Sequence, residues 1–264
     1  MKIPYFATQK ELLSYLVANK KDLIEFKRAS MKFTDLFGES HLEAAAIKGL
    51  NTSYTDDVAS GIIKRTIVGN TYNWMDSHSD VHLDNVFSKS ISDRQDRIFH
   101  LHDHEQKITA KVGKPTKIYE KSVAWADLGV DKPGKTMALF MDSDIMKEWN
   151  AQVFGQYLAK EINQHSVGMI YVKIDLAVND PEMKAEYATW LKVINSIANK
   201  EKAVKQGYFW AVSEAKLIEI SGVLAGSNEL TPTVDNKIEM EDQKVEKVAE
   251  SIIDYGFLVD NLRK

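Results

Sequence analysis

The spacing of apolar residues changes character several times along the chain, and each change predicts an element. Leu12, Leu13, Tyr15, Leu16 and Leu23 recur at helical spacing behind the capping-box sequence Thr8-Gln9-Lys10-Glu11, so a first helix is expected over residues 8–20. Between 44 and 75 the pattern shortens to segments such as Ile62-Ile63-Lys64-Arg65-Thr66-Ile67-Val68-Gly69, bounded by Asn, Ser, Asp and Gly. These read as strands and turns. Ile98 to His104 alternates, which sets Ile98, His100, His102 and His104 on one strand face and Phe99, Leu101 and Asp103 on the other. Two more strands are expected near 116–126 and 135–141.

Asp142-Ser143-Asp144 then offers N-cap residues for a helix whose stripe is Met146, Trp149, Val153 and Tyr157, ending near Asn163. From Ser166 a β-rich run follows that is too apolar for an exposed edge, and it reads as a central strand. Asp180-Pro181-Glu182 opens another helix, with Pro181 at its first position, and residues 180–206 read as a helical insertion. Residues 207–224 return to a buried strand pattern, with Glu219 on the face of Leu217, Ser221 and Val223. Burying a carboxylate unpaired is very costly, so Glu219 requires a partner. Thr231 to Asn236 reads as a linker, and 237–260 as a charged amphipathic helix carrying Val245, Val248, Ile252 and Phe257. The expected organisation is an N-terminal helical or extended segment (1–43), a core domain (44–230), and a linker with a C-terminal helix (231–264).

Composition removes several classes of function. With 34 Lys+Arg against 38 Asp+Glu, a formal charge of −4 and no basic stripe interleaved with aromatics, nucleic acid is not an expected partner. The absence of cysteine excludes disulfides, thiolate catalysis and Cys-based zinc sites. The first ten residues lack an apolar stretch of signal-peptide length, and no run approaches the roughly 20 apolar residues of a membrane span. A soluble, intracellular chain with no membrane partner is expected.

The candidate chemistry lies in two distant segments. Ser166 stands at the start of an apolar strand with Gly168 beside it, and a serine becomes a nucleophile at neutral pH only with a base within reach. For an arbitrary serine in this setting a capping or solvent-facing hydroxyl is the commoner role. The histidines of Phe99-His100-Leu101-His102-Asp103-His104-Glu105 supply the base, with His104 preferred and His102 its rival. The same residues have a zinc-ligand spacing, so a metal-dependent hydrolase using His100, His102 and His104 stands beside an acid-base histidine and plain surface histidines. Glu219 is either one half of a buried ion pair or the acid that orients His104.

Four motifs occur in order: the 69–87 segment, with aspartates at 76, 80 and 84 and a closing small-residue-Phe element; His104-Glu105 followed by Val112-Gly113; His165-Ser166-Val167-Gly168-Met169; and Leu217-Ile218-Glu219-Ile220-Ser221-Gly222-Val223 followed by Asn228. Together they resemble the pattern of the tailed-phage prohead maturation protease family over about residues 45–230. The resemblance implies an α+β, mainly β fold, with a herpesvirus assemblin-like β-barrel core surrounded by helices. It implies a serine endopeptidase with Ser166 as nucleophile, His104 as general base and Glu219 as third member, needing no cofactor and no metal. The implied substrates are the major capsid protein, the scaffold and the protease itself, cut by a homodimer inside the procapsid in the bacterial cytoplasm. A protease-fold head component that binds without cutting is the alternative. Two features depart from the family pattern: a longer interval from His104 to Gly113, and the 180–206 insertion.

Overall fold

A computed structural model describes residues 4–29 and 56–234. The expected helix 237–260 and the segment 44–55 lie outside the described residues. Thr8 caps helix α1 (Gln9–Ala18) as its sequence predicts: its side chain accepts from Glu11 N–H while the Glu11 carboxylate reaches back to the Thr8 N–H. A second helix, α2 (Lys20–Ala29), follows after one residue.

The remaining elements are strands β1 (Ile62–Thr71) and β2 (Asp80–His82), helix α3 (Ser88–Arg94), strands β3 (Phe99–His102), β4 (Lys111–Ala124) and β5 (Lys135–Met146), helix α4 (Ala151–Leu158), strand β6 (His165–Val178), helices α5 (Lys184–Val193) and α6 (Lys200–Gln206), and strands β7 (Tyr208–Gly222) and β8 (Thr233–Val234). They form an open mixed sheet in the order β2-β7-β3-β4-β5-β1-β8, with β6 paired to β7. The protein is thus α+β with a predominance of strand. Helices α5 and α6 occupy the interval between β6 and β7, where the insertion was expected.

Strand β7 organises the sheet. Antiparallel β6 lines one edge from His165 opposite Gly222 to Val178 opposite Tyr208. The other edge is shared by two short parallel strands: β2 beside Trp210–Val212 and β3 beside Glu219–Gly222. The principal core gathers Val167, Met169, Leu176, Leu217 and Ile220 from β6 and β7 with Leu13, Leu16 and Leu23 from the first two helices. The N-terminal helices therefore share the apolar interior of the sheet. Lys27 of α2 reaches the fully buried Asp80, with Nζ 2.7 Å from Oδ1, and lies over the rings of Tyr171 and Trp210. The Tyr171 hydroxyl donates to the other carboxylate oxygen, so this buried charge is paired and hydrogen-bonded.

Two expectations are corrected. Asp142-Ser143-Asp144 does not cap a helix: β5 continues through it to Met146, and Asn150 caps α4 by accepting from Val153 N–H at 3.0 Å. Met141, Ser143 and Ile145 are buried while Asp142 and Asp144 are half-exposed, a two-residue period that belongs to a strand. Thr231 to Val234, read as the start of a linker, returns to the sheet, where Thr233 and Val234 pair with Ile67 and Thr66 of β1.

Candidate active site

The three residues expected to carry the chemistry come from β6, β7 and the turn after β3. Directly opposed residues of paired strands project to the same side, so Glu219 and Ser221 of β7 share a face with their β6 partners Gly168 and Ser166. His104 reaches that face through an unusual turn. Asp103 and His104 both adopt left-handed backbone conformations, φ 52° and 56°, and the alternation of β3 is broken. The Asp103 N–H donates to the Gly222 carbonyl at 3.0 Å, which holds the turn against the end of β7.

The result is a closed set of hydrogen bonds. His104 Nδ1 lies 2.5 Å from Glu219 Oε1, and a carboxylate can only accept, so Nδ1 carries the proton and Nε2 does not. The second carboxylate oxygen accepts from Ser221 Oγ at 2.6 Å, and Ser221 Oγ in turn accepts from the His104 N–H at 3.2 Å. Glu219 and Ser221 are fully buried. Ser221, to which the sequence assigns no role, holds the Glu219 carboxylate and the His104 backbone together.

Gly168 makes room for this arrangement. A Cβ there would fall 2.0 Å from Glu219 Oε1, so any side chain would drive the carboxylate away from His104. The antiparallel register sets Ser166 against Ser221, with Cβ atoms of such pairs about 5 Å apart. Ser166 is 6% exposed and Ser221 is sealed. Among the described residues Ser166 Oγ makes no hydrogen bond, so Ser166 and His104 are not bonded to each other here. Such contacts commonly tighten only when substrate arrives.

The expectation that His100, His102 and His104 share one face is overturned. In the β3–β7 register His100 and His102 accompany Ile220 and Gly222, on the side away from Glu219, while the left-handed turn carries His104 across. His102 is partly exposed, with Nδ1 3.0 Å from Oδ2 of the neighbouring Asp103. His100 is completely buried against Ser143 and Tyr157. Among the described residues no three His, Asp or Glu side chains form a group able to hold a metal ion. The three-histidine metal site therefore lacks its geometry, and His102 is not placed to serve as the base.

Comparison of the chain with protein-family models, with curated proteins and with solved structures returns no match. Among the described residues no helix is long and apolar enough to cross a membrane.

Proposed function

We propose that the chain is a serine endopeptidase of phage head maturation, with Ser166 as nucleophile, His104 as base and Glu219 as the orienting acid. The observation that carries the reading is the 2.5 Å bond from His104 Nδ1 to Glu219, on the sheet face that also bears Ser166. His104 Nε2 takes the Ser166 proton as Oγ attacks the scissile carbonyl, then delivers it to the leaving amine. Water next enters: Nε2 accepts its proton, the hydroxide attacks the acyl carbon, and the returned proton restores Ser166. Through both halves Glu219 holds the tautomer and stabilises the imidazolium, while Ser221 keeps the second carboxylate oxygen occupied.

The substrates we propose are the capsid and scaffold proteins and the protease itself, cut by a homodimer within the procapsid in the bacterial cytoplasm. An assemblin-like origin of the sheet belongs to the same proposal. That Ser166 Oγ makes no hydrogen bond among the described residues favours one rival, a head component that keeps the fold and binds without cutting. Co-expression of capsid and scaffold proteins with wild type or Ser166→Ala separates the two. We expect truncated products with wild type alone; identical intact masses in both cultures would reject the protease reading.

A further inference from the structure

A second cluster of histidines, on the opposite face, takes no part in the chemistry above, yet its hydrogen bonds have a defined direction. His165 Nδ1 lies 2.9 Å from the Thr231 carbonyl oxygen, which can only accept, so Nδ1 bears the proton. Burial pushes the His165 imidazole down to about 4, and burial together with the neighbouring His165 pushes His100 down to about 3. Both rings are therefore neutral at pH 7. The bare Nε2 of His165 must accept from the Tyr157 hydroxyl, 3.0 Å away. That commits the single phenolic proton, so His100 Nε2 donates to the Tyr157 oxygen at 3.0 Å. His100 Nδ1 is then an acceptor, and Ser143 Oγ, at 2.9 Å, is its donor.

The four bonds run in one sense, from Ser143 through His100, Tyr157 and His165 to Thr231, and join β5, β3, α4, β6 and the segment before β8. Two glycines keep the passage clear. A Cβ at Gly113 would lie 2.5 Å from Ser143 Oγ and 2.9 Å from His100 Nδ1, and one at Gly222 would lie 2.9 Å from the Tyr157 hydroxyl. The last imidazole of the series, His165, belongs to the residue that precedes Ser166. Thr231 Oγ1 accepts from the His165 N–H at 3.2 Å and donates to the His165 carbonyl at 2.6 Å, so ring and backbone are both moored.

We propose that Tyr157 is a positioning residue for Ser166, acting through His165; this rests on the protease reading above. With the hydroxyl in place His165 has one ring orientation, and the peptide unit leading into Ser166 is fixed against Thr231. Without it the buried Nε2 loses its only donor and the start of β6 is free to shift.

Two measurements on the full chain test this. In histidine-15N NMR at pH 7, we expect His165 protonated on Nδ1 and His100 on Nε2; His165 protonated on Nε2 overturns the proposal without reference to activity. In Tyr157→Phe, which preserves the ring, labelling by a small fluorophosphonate should show kinact reduced about tenfold with KI unchanged, together with a shifted His165 Nε2 resonance. A kinact equal to wild type overturns the positioning role. If Tyr157→Phe does not fold, the wild-type tautomers still decide. Failure of the protease reading is seen separately, as a wild-type chain that the fluorophosphonate does not label at all.

Discussion

The two faces of the β3–β7–β6 ribbon each bury a histidine system, and the chemistry they can support differs. On one face His104 meets a carboxylate; on the other, His100 and His165 meet only hydroxyls and a carbonyl. An imidazole beside Glu219 can hold its Nδ1 proton against a negative charge. An imidazole sealed among neutral groups cannot, and its ordinary pKa is driven down by burial. Burial alone thus keeps a histidine neutral at pH 7, and an adjacent carboxylate is what the buried His104 has in addition.

The largest effect separates the faces by activity. His104→Ala should lower fluorophosphonate labelling or cleavage by roughly 10⁶-fold, the order seen when a triad histidine is removed, whereas His102→Ala should leave it within about twofold. Comparable losses in both variants would erase the assignment of His104 as base. Glu219→Gln comes next, with an expected loss of roughly 10⁴-fold because the amide no longer enforces the Nδ1–H tautomer. Retained activity in that variant would leave Glu219 a structural ion-pair partner.

Acid tests the opposite face by stability. The folded values of His100 and His165, about 3 and about 4, lie below the unfolded value near 6.5, so the unfolded chain binds more protons. Stability is then complete above about pH 6.5 and falls as pH drops toward 4, by roughly 1 kcal/mol per pH unit for each histidine. Urea midpoints at pH 7, 6 and 5 measure this, and constant midpoints would contradict neutral burial. The smallest effect is expected from Gly168→Ala, where a methyl group meets the Glu219 carboxylate; a cost of about 2 kcal/mol in urea unfolding is typical of overpacking. Wild-type stability there would mean that Glu219 moves freely aside.

Much of this was legible in the order of residues. The capping box at Thr8, the strands carrying Ser166 and Glu219, and the need of Glu219 for a partner all follow from local chemistry and period. What escaped was non-local or a local exception. Alternation put His104 with His100, and only two successive left-handed residues reverse that. Ser143 was read as a capping residue because Asp flanks it, although its hydroxyl serves His100 across the sheet. Tyr157 was read as one member of an apolar stripe, since its partners come from strands 57 residues before it and 8 residues after it.

The return of the chain at Thr233 and Val234 bears on how much C-terminal chain the fold can lose. Truncation beyond Val234 leaves the strand of Ser166 tied at its root, but truncation before Thr231 takes away β8 and every Thr231 bond to His165 together. The shortest chain that keeps Ser166 anchored is thereby written into the sheet, and one ending before Thr231 would be slack at Ser166.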